Sequence, residues 1–225
     1  MKDTVRHKAM FYRTPAWLER LLPGVLWGET QPSNRVYLSF DDGPNPRSTM
    51  RVADVLRELN VRAAFFLRGD RCIHFPTVVE RLARDGHSLG YHGWSHEPWI
   101  FPQRYRSEID PDLLPQGLLY NLSSSPRLYR PPYGRFSPYA LRWIRQHQGL
   151  MVLWRMHFRD WSQTFEVDQE RHTLQGALRG GDLLLLHDHG RNSSTLPGLL
   201  HCLAETAREM NLELADFRTL LEKIR

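Results

Sequence analysis

The sequence predicts an α/β fold, a single irregular (β/α) barrel, and three observations predict it. From residue 35 onward, short apolar runs alternate with longer segments of helical spacing, the pattern of a parallel sheet covered by helices. Several of the runs are almost wholly apolar, as expected of strands buried on both faces. The unusual polar residues Asp41, Asp42, His92, His96, Arg130, Asp160 and His187 fall at or just beyond the strand ends. That is where ligands sit in parallel α/β architectures. A chain of 225 residues suits one sizeable core.

The elements follow in order. Arg35 to Phe40 (RVYLSF) reads as a strand, and Ser48 to Leu59 carries apolar residues at helical spacing. Ala63 to Leu67 (AAFFL) is the next strand, with a helix from Pro76 to Arg84 that stops at Gly86. Ser88 to His92 and Leu128 to Arg130 are short strands, and a helix lies near Pro138 to His147. Leu150 to Trp154 (LMVLW) and Asp182 to Leu186 (DLLLL) are buried-strand candidates with a helical stretch between them. Leu196 to Met210 is helical, Leu212 to Ala215 is a last strand, and Phe217 to Ile224 closes the chain as a helix. Glu97 to Ser125, with several prolines and a terminal serine run, interrupts the alternation. Residues 1 to 34 form an N-terminal extension expected to pack on the barrel, leaving 35 to 225 as the main domain.

Composition narrows the function. The formal charge is +5, and 27 of the 30 basic residues are arginines, since only Lys2, Lys8 and Lys223 are lysines. They are spread along the chain without a block, which argues for solubility rather than a nucleic-acid groove. Zinc-finger spacing, RNA-binding aromatic signatures and basic heptads are all missing. Cys72 and Cys202 form no CxxC pair and fit a reduced compartment. No apolar run reaches signal-peptide or membrane-spanning length, so the expectation is a cytoplasmic protein. The sequence carries no signal for an oligomeric state.

Asp41-Asp42-Gly43-Pro44 directly follows a strand. Adjacent carboxylates on a tight turn point different ways, so one can bind a cation while its neighbour faces a substrate. An acidic turn before proline would look the same. His92 and His96, four apart after another strand, can converge on one ion, or can simply donate hydrogen bonds in a loop. With a carboxylate they make a three-ligand site with open positions, the arrangement of a catalytic zinc. Zinc, cobalt, nickel and iron all accept such a set. Arg130-Pro131-Pro132-Tyr133 places an arginine where it could hold a buried carboxylate, or a rigid turn with a surface arginine. Asp160-Trp161 follows one strand and Leu185-Leu186-His187 ends the most apolar one.

These five segments, in this order, resemble the NodB-homology polysaccharide deacetylases, the fourth family of carbohydrate esterases. Ser39 to Pro44 (SFDDGP), His92 to His96, Arg130 to Tyr133 (RPPY), Asp160-Trp161 and Leu185 to His187 match its motifs. The resemblance implies a distorted (β/α)7 barrel and a metal-dependent hydrolase that removes acetyl from an N-acetylated carbohydrate. It implies a divalent metal, most often zinc, on Asp42, His92 and His96. Asp41 would be the general base, oriented by Arg130, and the Tyr133 N–H would stabilise the oxyanion. His187 would be the general acid, its ring held by Asp160, and Trp161 with Leu185 would shape the acetyl pocket. Gly93 departs from the customary Ser or Thr and removes a hydroxyl that could support the metal loop. Arg155 and His157 also depart, and could alter charge beside the acid. Other readings are a deformylase or small-amide hydrolase on a sugar-lipid, and a silent carbohydrate-binding relative. Trp94, Trp99, Phe101, Tyr105 and Tyr120 could stack on a sugar or serve as barrel packing.

Overall fold

The computed structural model describes residues 11–100, 108, 110, 126–158, 160, 171, 174–188 and 194–224. Its strands, in chain order, are β1 (Phe11–Arg13), β2 (Val25–Leu26), β3 (Arg35–Asp41), β4 (Ala64–Leu67) and β5 (Ser88–Tyr91). β6 (Arg127–Tyr129), β7 (Gly149–Val152), β8 (Met156–Phe158), β9 (Leu183–His187) and β10 (Glu213–Leu214) follow. The helices are α1 (Ala16–Leu21), α2 (Ser48–Glu58), α3 (Gly69–His74), α4 (Pro76–Arg84), α5 (Pro138–Gln146), α6 (Leu196–Glu209) and α7 (Phe217–Glu222).

The strands make one sheet in the order β1-β8-β9-β3-β4-β5-β6-β7-β2, with β10 parallel to the start of β3. Every pairing is parallel except that of β1 with β8. This is the irregular barrel that the alternation predicts and, more closely, the distorted (β/α)7 barrel that the family resemblance implies. All seven expected strands are present; β1, β2 and β8 are additional. The segment ahead of residue 35 therefore supplies two strands to the sheet itself, at its opposite ends.

Just beyond β2 the chain comes round to the start of β9. Gly28 makes an antiparallel bridge with Asp182, and Glu29 N–H donates to Gly181 O at 2.9 Å. The approach is close enough to demand glycine. A Cβ on Gly180 would lie 1.6 Å from the Ser33 carbonyl oxygen.

The interior explains why the strands read as apolar runs. Val36, Leu38 and Phe40 of β3, Phe65 and Leu67 of β4, and Leu184 and Leu186 of β9 are all fully buried in one cluster. Phe40 stacks on Phe65 with ring centroids 4.9 Å apart. Each such side chain contributes about 1.5–3 kcal/mol relative to an exposed position. The helices bury a single stripe: Val52, Val55 and Leu56 on α2, and Leu196, Leu199, Leu200 and Leu203 on α6. Helix α5 begins on a cap, Ser137 Oγ accepting from Ala140 N–H, with Pro138 at its first position.

Candidate active site

Two parallel strands deliver the cluster that the sequence suggests. β3 ends at Asp41 and the next residue, Asp42, turns with φ 77°. β5 ends at Tyr91, immediately before His92, and the chain loops to His96, which also has positive φ, 71°. One ligand atom from each of Asp42, His92 and His96 falls within 4.8 Å of the others. His96 Nε2 is 3.0 Å from Asp42 Oδ1, and His92 Nε2 is 3.7 Å from the same oxygen.

The donor set fits a divalent cation. His92 Nδ1 lies 2.8 Å from the Arg130 carbonyl oxygen, which can only accept, so Nδ1 carries the proton and Nε2 presents its lone pair. Asp42 Oδ1 is buried against the Nε2 atoms of His96 and His92, an arrangement that costs free energy unless something positive completes it. Burial works against the Asp42 carboxylate, but His96, His92 and His187 together hold its pKa below the ordinary value. Burial in turn holds the pKa of His92 below its ordinary value, although Asp41 and Asp42 pull it the other way.

Asp41 is buried beside this cluster. Its Oδ1 accepts from Arg130 Nη1 at 2.8 Å, and Oδ2 lies 3.6 Å from His92 Nε2. Arg130 is fully buried and its donors are well matched. Nη1 also reaches Ser39 Oγ at 2.9 Å, Nε donates to Val152 O and Nη2 to Leu153 O. Its guanidinium carbon lies 3.9 Å from the centre of the Phe66 ring. A buried charge survives only when paired and bonded in this way, so of the two readings open for Arg130 the structure gives the buried carboxylate partner. Ser39, part of the first motif, also belongs to this network, with its hydroxyl donating to Leu184 O at 2.6 Å.

His187 closes β9. Its Nδ1 is 2.9 Å from Asp160 Oδ1, and its backbone N–H donates to Asp160 Oδ2 at 2.6 Å. Burial opposes a charged ring here, yet the hydrogen bond and charge of Asp160, with Asp41 and Asp42 beyond, raise its pKa to about 9.

A cavity of 380 Å³ opens onto Asp41, Asp42, His92, His96, Tyr133, Trp154, His157, Leu185 and His187. Leu185 is a buried wall of it. Tyr133 sits at its rim, mostly exposed, with φ 57° and its ring 4.7 Å from that of His96. Trp161 lies outside the described residues, as do Phe101, Tyr105 and Tyr120. Trp99 is fully buried and is barrel packing.

The departures from the motifs resolve individually. Arg155 turns away from His187: its Nε donates to Glu19 Oε1 at 3.0 Å, and Nη1 to Glu29 O and Gly181 O. It fastens the barrel's ends instead of altering charge in the cavity. His157 does line the cavity, and Trp154 Nε1–H donates to its Nδ1 at 3.1 Å, which fixes a neutral ring. Burial, then the charge of His187, keeps the His157 pKa low. Sequence reasoning singled out neither Trp154 nor Glu108, the latter a buried carboxylate that accepts from the Trp94 and Ser95 backbone. Trp154 reads as the last residue of an apolar strand, and Glu108 lies in the stretch with no period.

Two carboxylate-bearing pairs, Asp41–Arg130 and His187–Asp160, flank a candidate cation site at the carboxyl ends of a parallel barrel, which defines a hydrolase-type centre. The chain belongs to the polysaccharide deacetylase family, whose model matches residues 28–152, and is by that membership a hydrolase of non-peptide carbon–nitrogen bonds. It is 29% identical over 210 residues to a peptidoglycan-N-acetylglucosamine deacetylase of Bacillus cereus, across 91% of this chain and 73% of that protein. It is 31% identical over 168 residues to a chitooligosaccharide deacetylase of a Bradyrhizobium strain, across 72% and 74%. Among solved structures it is similar to the Bc1960 peptidoglycan N-acetylglucosamine deacetylase in complex with a naphthalenyl N-oxidanyl-benzamide. There the TM-score is 0.80 and the identity 26%, covering 92% of this chain and 96% of that one. No helix of the described residues is long and apolar enough to cross a membrane.

Proposed function

We propose that this chain removes N-linked acetyl groups from N-acetylglucosamine units of an oligosaccharide or polysaccharide, using a divalent cation, most often zinc in this family. The observation that carries the proposal is the convergence of Asp42, His92 and His96 on one point, with Asp41 and His187 facing the same 380 Å³ cavity. Asp42, His92 and His96 would hold the cation, which when bound polarises the amide carbonyl and makes water a better nucleophile near neutral pH. Asp41, oriented by Arg130, takes the proton of the attacking water. The Tyr133 N–H, on a left-handed turn at the rim, donates to the oxyanion as the carbonyl becomes tetrahedral. His187 gives its proton to the departing sugar amine, and Asp160 holds the ring in the tautomer and charge state needed for that transfer. Leu185 bounds the space for the acetyl methyl, a role that the motif resemblance also implies for Trp161.

The test pairs metal content of the purified protein with acetate release from N-acetylglucosamine oligomers before and after chelation. One divalent ion per chain and acetate release abolished by chelator are the expected results. Metal without acetate would move the reading to another amide, and the absence of metal binding after metal is added back would overturn it.

A further inference from the structure

We infer that Glu108 is a positioning residue for the metal-ligand loop, holding the backbone of Trp94 and Ser95 so that His96 meets Asp42. The inference rests on the ligand role of His92 and His96 proposed above. The loop from His92 to His96 contains two residues of positive φ, Gly93 at 85° and His96 at 71°. For histidine this conformation is uncommon and persists only where the surroundings over-determine it. On one side the restraint comes from α3, whose Gly69 N–H donates to Gly93 O at 2.9 Å and Asp70 N–H to Trp94 O at 3.1 Å. On the other side it comes from Glu108. Trp94 N–H and Ser95 N–H both donate to Glu108 Oε2 at 3.0 Å, and Ser95 Oγ donates to Oε1 at 2.6 Å.

Glu108 lies 13 and 14 residues from its partners and is buried, at 6% exposure. A buried carboxylate with three short bonds to one loop is a costly group to keep unless it fixes that loop. Gly93 makes the room: a Cβ there would stand 3.1 Å from Glu108 Oε2 and 3.2 Å from Trp99 Nε1. The carboxylate thus occupies the place beside residue 93 that a side chain would contest. It accepts from two part-buried loop donors, the Trp94 and Ser95 N–H groups. It also acts one residue before His96, whose Nε2 is 3.0 Å from Asp42 Oδ1.

The test measures zinc affinity by competition with a chromophoric chelator in the full chain, together with amide exchange at Trp94 and Ser95 in metal-free protein. Glu108→Ala should weaken zinc binding by about 10–100-fold, the usual effect of losing a group that orients a metal ligand. Its Trp94 and Ser95 amides should lose protection while the melting temperature stays close to wild type. Glu108→Gln keeps one acceptor oxygen for the two N–H groups and should stay near wild type in both measurements. If Glu108→Ala does not fold, Glu108→Asp, one methylene too short to span the loop, carries the same expectation. Zinc affinity equal to wild type in a folded Glu108→Ala or Glu108→Asp variant overturns the inference. If wild-type protein itself takes no zinc, the hydrolase proposal fails and exchange alone decides: protection lost in the variant supports Glu108, protection retained overturns it.

Discussion

Asp41 and His187 are one strand apart in the sheet, paired in register where β3 meets β9, and each has a charged partner, Arg130 and Asp160. Arg130 orients Asp41, the proposed general base, by donating to its Oδ1 at 2.8 Å. Asp41→Asn should therefore keep its metal but lose turnover by about 10²–10⁴-fold, compared by kcat at equal metal loading. His187 has its pKa raised to about 9, so it is a protonated acid at neutral pH. Activity that needs this proton should fall as pH rises through that region. A divalent cation on Asp42 offsets part of the pull on the ring, so the loaded enzyme should titrate below the chelated one. Ring-proton titration of His187 with and without metal checks the order. The same raised value has a stability consequence of fixed sign. The contribution is complete below the ordinary pKa of 6.5 and is lost as pH climbs through about 9.

The short strands and the first helix matter at the scale of elements. β1 pairs with β8 in register, Tyr12 opposite His157, and Thr14 N–H donates to Arg155 O at 2.7 Å. The segment that carries Trp154 and His157 into the cavity is thus clamped from the N-terminal side. Arg155 completes the clamp by joining Glu19 of α1 to the carbonyls of Glu29 and Gly181. Arg155→Ala should lower stability by about 2 kcal/mol, or roughly 4–8 °C in a chain of this size, and leave kcat nearly unchanged. Calorimetry beside steady-state kinetics separates the two effects. A large fall in kcat at unchanged melting temperature would contradict this structural role.

Across the whole molecule, closure of the sheet keeps the strand ends, and therefore the proposed ligands Asp42, His92 and His96, in register. The chain beyond β2 reaches the start of β9 where Gly28 and Gly181 allow backbones to touch, Gly180 packs on Ser33 beside them, and Glu19 of α1 is tied in through Arg155. Gly180→Ala forces a methyl group into the Ser33 carbonyl and should destabilise the fold by about 1–3 kcal/mol. Its urea midpoint should fall accordingly. Behind the same seam Tyr37 Oη donates to Glu29 Oε2 at 2.8 Å, and Lys223 of the C-terminal end pairs with Glu29. The base of the barrel is tied by groups from both ends of the described chain.

The sequence by itself determined the barrel's alternation and the identity of the clustered residues. Leu183 to Leu186 and Phe65 to Leu67 are apolar throughout because parallel strands are buried on both faces, and that pressure is visible in one dimension. Asp41-Asp42 and His92 to His96 are local patterns, so their proximity to strand ends was also readable. Only the tertiary structure decided the rest. β1, β2 and β8 have three, two and three residues, too few for any period, and exist because a neighbouring edge pairs with them. Arg155 stands two residues from the cavity-lining His157, yet its guanidinium goes to Glu19, because side-chain direction is set by partners 136 residues away. Glu108 has no motif around it and reaches the ligand loop only through folding. Burial acts on each residue in turn and leaves a pattern along the chain. A hydrogen bond between distant segments leaves none.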